Sequence, residues 1–383
     1  MEESNSLSDA YLIDPYPSEN VNTTQEPMPN MTLQPARPNG TVDALVFEHY
    51  VRIIVPTIFG VICLLGLFGN FLVIMVVIFN KHMRNTTNIL ILSLAVADLL
   101  FILFCVPFTA TGYALPVWPF GDIGCKVQSY AMYVCAYASV YTLVLMSLDR
   151  YLAVVHAIRS MTWRSERNTW FAIAVVWIII LCGNTPLLVQ FGEKRYVYEK
   201  VENRSACLNL VDLEDASVGK AFFGCFLFFG YIIPLGVTVL LYSLMLKRLL
   251  YGVVPGGRNQ SAESIRAKKR VTRMVVIVVV IFALCWLPIQ IILFWQKFGN
   301  YPMHATYIGT MMAANCLAYM NSCVNPILYA FLSENFRRSF RKFLCCSETS
   351  RRMDYERTNV RFTTCEKETV NTCVSNNKTY TPV

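Results

Sequence analysis

Charge is what this sequence has least of. Of its 383 residues only 15% are Asp, Glu, Lys or Arg, and 55% are hydrophobic. A soluble domain carries roughly 25% charge. With a mean hydropathy of +0.43, the deficit excludes an ordinary soluble domain and points to the membrane. Other absences narrow the field. No spacing of nucleophile with base, or of metal ligands, is present, so the chain is not expected to be an enzyme or to require a cofactor. No internal repeat is visible, and the odd number of apolar runs weakens a transporter built from two inverted halves. The first fifty or so residues hold no apolar core. No cleavable signal peptide is therefore expected, and the first span directs its own insertion. Nothing suggests a nucleic-acid partner.

What is present is a series of nearly uncharged runs: Ile53–Phe79, Asn88–Tyr113, Val127–Leu148, Trp170–Phe191, Ala221–Leu246, Met274–Gln296 and Ala305–Leu332. Each exceeds the ~20 residues a helix needs to cross ~30 Å of hydrocarbon. Runs of this length satisfy their own backbone as helices rather than barrel strands. An all-α membrane bundle of seven transmembrane helices is expected. The side holding the amino terminus carries nine Lys and Arg, the other side the remaining 24 of 33. By the positive-inside rule the amino terminus is extracellular and the carboxyl terminus cytoplasmic, in a multi-pass plasma-membrane protein. The glycosylation sequons at Asn22, Asn30, Asn39 and Asn203 then fall outside. Of 14 cysteines, eight lie in spans and four in the tail after residue 344, which leaves Cys125 and Cys207 facing the oxidising side. One disulfide between them is expected, tying the loop Glu193–Lys220 over the mouth of the bundle.

Residues 1–50 are polar, rich in Asn, Pro and Ser, and read as a disordered tail. The bundle occupies 51–332. The loop Tyr251–Lys269 begins with a Pro/Gly/Asn linker and turns into a basic helix leading to span six. After span seven, residues 333–346 place Phe336, Phe340 and Phe343 at helical spacing among Arg337, Arg338, Arg341 and Lys342. This predicts an eighth, interfacial helix lying against membrane lipid. It ends at Cys345 and Cys346, candidates for palmitoylation. The polar tail 347–383 offers Ser and Thr for phosphorylation. Its final "TPV" suits a PDZ-type strand-addition pocket.

Asp98 is the one ionisable residue deep in a span, and such a group is functional by default. Asn70, Ser139, Asn321, Ser322 and Asn325 are its expected partners. A carboxylate ringed by neutral oxygens and amides could hold Na+, or could be a protonated acid in a satisfied network. Pro107, Pro186, Pro234, Pro288 and Pro326 each interrupt a span and permit a kink. Trp286 stands two residues before Pro288, while Asn325, Pro326 and Tyr329 are grouped near the far end of span seven. In "SLDRYLAVVH", residues 147–156, Asp149 and Arg150 follow an apolar run. Neighbours on a helix do not face one another, so simple pairing between them is not expected to explain their placement.

These residues, in this order, resemble the rhodopsin-like (class A) G-protein-coupled receptors from Ile53 to Cys346. The resemblance rests on Asn70, "LAVAD" with Asp98, Cys125, "DRY" at Asp149, Arg150 and Tyr151, Trp177, Pro234 with Tyr242, "CWLP" at Cys285–Pro288, and "NPILY" at Asn325–Tyr329. It implies a heterotrimeric G protein as partner, with arrestin and receptor kinases as regulators. It makes Trp286 a toggle under the ligand, and Asp98, Ser139, Asn321 and Asn325 a sodium pocket. Cys125 and Cys207 match the family's outer disulfide. Asp149 would hold Arg150 at rest. On activation Arg150 would face the G protein and Tyr242, with Asn325, Pro326 and Tyr329 coupling span seven. Many relatives have Pro where this chain has Ala157, a difference that bears on G-protein preference.

Span seven lacks the Lys a retinal protein needs, and Met132 stands where amine receptors place Asp. The expected ligand-binding set is Tyr113, Trp118, Gln128, Met132, Tyr133, Trp286, Gln290, Trp295, His304 and Tyr319. Aromatic rings with amides suit a peptide bearing aromatic and amidated groups. The finer resemblance is to the galanin and allatostatin branch, through "CVPFTATGYALPVWPFGDIGCK", "ASVYTLVLMSLDRYLAVVH", "SERNT" and "SIRAKKRVTRMVV"; it is most like the arthropod allatostatin-A receptors. This implies a short amidated extracellular neuropeptide and inhibitory coupling. Other peptide branches (galanin, somatostatin, opioid) are the runner-up. A channel or transporter is a distant alternative.

Overall fold

The computed structural model describes residues 39–80, 83–198, 202–251, 262–299 and 305–344. Asn22, Asn30, His304, Cys345, Cys346 and the tail that follows lie outside these residues. The bundle is built from α1 (Asn39–Phe79), α2 (Thr86–Phe104), α3 (Val106–Ala114), α4 (Gly121–Val155), α5 (Glu166–Gly183), α6 (Leu187–Gln190), α7 (Leu210–Glu214), α8 (Ala216–Leu227), α9 (Ile233–Tyr251), α10 (Ala262–Phe298) and α11 (Ala305–Leu332). A two-stranded antiparallel hairpin, β1 (Phe191–Tyr198) and β2 (Glu202–Asn209), lies between α6 and α7.

Six of the spans are long and apolar enough to cross a membrane among the described residues: α1, α2 with α3, α4, α5 with α6, α8 with α9, and α10. The seventh, α11, has 28 residues but carries Asn315, Asn321, Ser322 and Asn325 within it. Those polar groups point inward: Asn321, Ser322 and Asn325 are buried. The outer surface is correspondingly apolar, with Leu64, Phe68, Phe171, Ile179 and Phe331 each more than half exposed. In water such a surface would be a liability, but against lipid it is the expected one. Span four is peripheral, with only Ile173 and Ile180 of α5 buried.

Helix ends and breaks follow local chemistry. Asn85 caps α2 by accepting from the Asn88 N–H, and Ser165 caps α5 by accepting from the Asn168 N–H. Pro107, which has no N–H, separates α2 from α3 at Cys105. Pro234 opens α9 just after a single wide π-helical turn, Phe228–Ile232, a common accommodation for a lost ladder bond. The carbonyl of Phe229 in that turn accepts from the Tyr141 hydroxyl at 3.0 Å. Two observations correct the sequence reading. Span four ends at Gln190, and Phe191 opens a strand instead, so the loop over the mouth is a hairpin. α1 starts at Asn39, inside the stretch assigned to a disordered tail, because Val42–Arg52 has neither proline nor glycine to stop a helix growing outward. α4 runs to Val155 and contains Asp149, Arg150 and Tyr151.

Span three is the axis of the bundle: α4 packs on α2, α5, α6, α9, α10 and both strands. Since lipid offers no advantage to burying one apolar surface rather than another, side-chain hydrogen bonds and close packing hold the spans together. Trp177 donates to Ser93 at 3.2 Å, and Ser93 lies 3.4 Å from Thr142, joining spans four, two and three. Tyr231 donates to the Ala283 carbonyl at 2.8 Å, joining five to six.

A second compact unit contributes one described helix, α12 (Glu334–Leu344). Phe336 and Phe340 are buried with rings 5.7 Å apart, while Arg337, Arg338, Arg341 and Lys342 are exposed. Arg341 and Lys342 are in the last turn of α12, where the helix dipole favours cations.

Close packing of spans one, two and seven depends on Gly66. A Cβ there would stand 2.2 Å from Ile102 Cδ1 and 2.8 Å from Cys323 Sγ. Gly66→Ala is expected to cost about 1–3 kcal/mol by overpacking, read as a lower Tm of detergent-solubilised protein. Gly60→Ala, where a Cβ meets nothing within 4 Å, should hold or slightly raise Tm through helix propensity.

Candidate functional site

Three linked sites run down the bundle. The first is under the hairpin. Cys207 on β2 is bonded to Cys125 in α4, with Cα atoms 5.3 Å apart. β2 also exchanges backbone bonds with the segment before α4: Trp118 N–H donates to the Ser205 carbonyl and Ser205 N–H to the Pro116 carbonyl. The hairpin is thus fixed to span three at two places. Next to α4 it frames an outer cavity of about 380 Å3, lined by Tyr113, Trp118, Gln128, Arg52, Tyr196 and Arg204 among others. Deeper lies an inner, apolar cavity of about 190 Å3 between spans three, five, six and seven. Met132, Tyr133, Phe223, Phe226, Trp286, Asn315 and Tyr319 are on its wall.

The two cavities share no lining residue, yet two hydrogen bonds join their walls. Asn315 Nδ2 donates to the Tyr113 hydroxyl at 3.3 Å, and the Thr109 and Tyr319 hydroxyls are 3.0 Å apart. In each pair one partner lines the outer cavity and the other the inner. At the floor, the Trp286 ring is packed by Phe101, Phe226 and Phe282. Its indole N–H is buried without a hydrogen-bond partner, which marks a place for an acceptor.

Of the residues expected to bind ligand, Tyr113, Trp118 and Gln128 line the outer cavity; Met132, Tyr133, Trp286 and Tyr319 line the inner one. Trp118 is also structural: it is buried and donates its indole N–H to the Gly121 carbonyl at 2.9 Å. Gln290 is buried but lines neither cavity. Trp295 is 56% exposed and also lines neither, as suits an interfacial indole at a helix end. Phe101, Phe223, Phe226 and Asn315 were missed because an apolar run does not show which of its faces is covered.

At the rim, Lys297 of α10 pairs with Asp212 of α7, and its ammonium lies 5.0 Å from the centre of the Phe223 ring. Gly219 leaves room for this carboxylate: a Cβ there would collide with Asp212. The sequence offered no sign of the pair, which joins residues 85 apart.

The second site is at mid-depth. Asp98 is fully buried and accepts from Ser139 at 3.1 Å, Ser322 at 3.0 Å and Asn325 at 2.7 Å. Spans two, three and seven meet on this carboxylate. Asn70 reaches the cluster indirectly, donating to the Ser322 carbonyl at 2.8 Å. Asn321 makes no bond to Asp98; Ser322 takes its place. The Oδ1 atoms of Asn70, Asn321 and Asn325 are buried without hydrogen-bond partners. Orphaned oxygens around a carboxylate are a donor set that fits a small hard cation such as Na+.

The third site is at the end of the bundle away from the hairpin. Asp149 is buried and accepts from Thr86 at 3.1 Å, Thr87 at 3.0 Å, Arg150 Nε at 3.0 Å and Arg164 Nε at 2.8 Å. Arg150 also donates to the Thr87 hydroxyl. Asp149 thus holds Arg150 here, as the family resemblance implied: the arginine stem is long enough to fold its guanidinium back onto its neighbour. Tyr242 places its hydroxyl, shielded from solvent, beside Ser147 and Arg150. Tyr151 stays out of the cluster, with its hydroxyl 3.5 Å from His156. Tyr329 is completely buried, and Pro326 packs so close to Gly69 that a Cβ there would stand 3.0 Å from the proline ring. Thr86, Thr87 and Arg164 were not picked out from the sequence.

Known proteins resemble this chain over most of its length. The sequence model of the family described as 7 transmembrane receptor (rhodopsin family) matches residues 69–329. An allatostatin-A receptor of Bombyx mori is 53% identical over 304 residues, covering 79% of this chain and 82% of the relative. A galanin-like G-protein coupled receptor of Caenorhabditis elegans is 43% identical over 324 residues, covering 78% and 74%. Galanin receptor type 1 of Homo sapiens is 38% identical over 314 residues, covering 82% and 86%.

The rim pair yields a structural prediction. Both side chains are less than a fifth exposed, so removing one leaves a largely buried charge alone. Asp212→Ala should cost about 1–3 kcal/mol, and adding Lys297→Ala should cost little more. A coupling of about 1 kcal/mol or greater in the double-mutant cycle, read from thermal unfolding, checks it.

Proposed function

Because the chain belongs to the rhodopsin family of seven-transmembrane receptors, we propose that it is the receptor for a short, C-terminally amidated neuropeptide of the allatostatin-A type. On this reading the hairpin face is extracellular, the Asp149 face cytoplasmic, and the partner an inhibitory heterotrimeric G protein. The observation that carries the proposal is the stacking of two cavities with walls joined by the Asn315–Tyr113 and Thr109–Tyr319 hydrogen bonds. A peptide is long enough to occupy both. Its terminal amide offers donors and an acceptor to replace those two bonds, and an aromatic side chain suits the apolar inner wall. The similarity to an allatostatin-A receptor favours that ligand class over galanin.

The mechanism is a two-state equilibrium that ligand shifts only through its preference for one state. A peptide end inside the inner cavity lies against Trp286, two residues from Pro288 within α10. Leverage at that proline, where a ladder bond is lost, moves the Asp149 end of span six. Arg150 then leaves Asp149 and turns toward Tyr242 and the G protein. The Asp98 cluster opposes this by holding spans two, three and seven in their packed arrangement. Na+ among Asp98, Ser139, Asn321, Ser322 and Asn325 would add charge compensation to the resting state. Arrestin and receptor kinases would act on the Ser- and Thr-rich tail. Glycosylation at Asn22, Asn30, Asn39 and Asn203, palmitoylation at Cys345 and Cys346, and a PDZ partner at "TPV" complete the proposal.

Three measurements test it. A panel of amidated neuropeptides on cells expressing the chain should produce G-protein dissociation, with an allatostatin-A-type peptide the strongest. Arg150→Ala should abolish GTP loading while preserving peptide binding; undiminished loading would refute the assignment. Added Na+ should lower peptide affinity several-fold in the native protein and leave Asp98→Asn unaffected. A sodium effect that survives Asp98→Asn would remove Na+ from the account.

A further inference from the structure

We propose that Arg164, in the loop after span three, is a reserve counter-ion for Asp149. It keeps that carboxylate compensated when Arg150 departs for the G protein. The inference rests on the receptor reading above. Its basis is a cluster with two cations on one carboxylate. Asp149 and Arg150 are buried, whereas Arg164 is 25% exposed and bonds Asp149 at 2.8 Å and the Thr86 hydroxyl at 3.3 Å. The two arginines use different carboxylate oxygens, Arg150 taking Oδ2 and Arg164 taking Oδ1. Departure of Arg150 therefore leaves the Arg164 bond and both threonine bonds in place.

Span six supplies no substitute. From Ser264 to Phe298 it contains no Asp or Glu, so the membrane-crossing part of α10 offers Arg150 no acid; the acid on this helix, Glu263, belongs to its first turn. Among the described residues, the direct resting hold on Arg150 is Asp149 with Thr87. A buried carboxylate without a cation is strongly destabilised, whereas one that loses the second of two cations is affected far less. At rest, removal of Arg164 leaves Arg150 in place. In the open state it leaves Asp149 with hydroxyls alone. Arg164 therefore favours the open state, the opposite of a lock. It is a positioning residue acting through Asp149.

The test uses the full chain in lipid nanodiscs with a heterotrimeric G protein and an activating peptide. Arg164→Gln should lower basal and peptide-stimulated nucleotide loading about tenfold and leave peptide binding without G protein within about threefold. Arg164→Lys should restore most of the loading. With Asp149→Asn there is no carboxylate to compensate, and Arg164→Gln should then change loading less than twofold. Labels on spans three and six should show Arg164→Gln shifting the peptide-saturated receptor toward the closed spacing before G protein is added. This readout also covers an Asp149→Asn protein that does not load, and Arg164→Met replaces Arg164→Gln should that variant fold poorly. Raised basal loading in Arg164→Gln would overturn the proposal, since Arg164 would then secure the closed state. An equal fall in the Asp149→Asn background would overturn it too, by assigning Arg164 to direct contact with the G protein. If Arg150→Ala still loads nucleotide, the receptor mechanism itself fails, whatever Arg164 does.

Discussion

A carboxylate at mid-depth in hydrocarbon has to be surrounded by protein donors, and Asp98 obtains them from spans three and seven. Those three bonds set how the spans sit against one another. A span that turned far enough to break one would strand a charge or an amide where no water replaces it. Above, the bundle encloses the cavities; below, it encloses the Asp149 cluster. The aromatic floor at Trp286 and the Asp98 cluster stand between the two ends. Any signal passing down the bundle has to pass through them.

The Asp98 cluster is held by short side chains on helices and the Asp149 cluster by two threonines and two arginines, one of them in a loop, and each contains an imbalance. At Asp98, amide oxygens exceed the available donors; at Asp149, cations exceed the carboxylate. A fully balanced network would favour a single arrangement of the helices. An unbalanced one leaves groups ready to accept a new partner, whether an ion, a water or a displaced arginine. On the proposed mechanism, such imbalance is what a two-state transmitter requires.

The fold was largely legible from the sequence because hydrocarbon imposes one demand on every span, and seven apolar runs meet it. Asp98, Cys125, Cys207 and Arg150 stood out because each is costly or conspicuous where it sits. What stayed hidden was orientation about the helix axis. Phe223 and Phe226 look no different in sequence from lipid-facing Phe228 and Phe229, and only packing separates them. Pairs between distant segments, Asp212 with Lys297 and Asp149 with Arg164, were also invisible. Their partners are charged residues in loops or at helix ends, where charge is ordinary. The strands over the mouth were hidden because Phe191 extends an apolar run and so reads as the end of span four.

The wide turn at Phe228–Ile232 inserts an extra residue into one revolution of span five. The part of the span above it, with Phe223 and Phe226, is thereby rotated in phase relative to the part below, with Tyr242. A span wound uniformly could not present both sets of side chains to the centre at once. The same slack divides the span into two halves that are independently indexed. Lengthening or shortening the chain by one position at this turn would re-aim the upper aromatics while Tyr242 stayed beside Arg150. Ligand preference could in this way diverge between related chains without disturbing the machinery at the other membrane face.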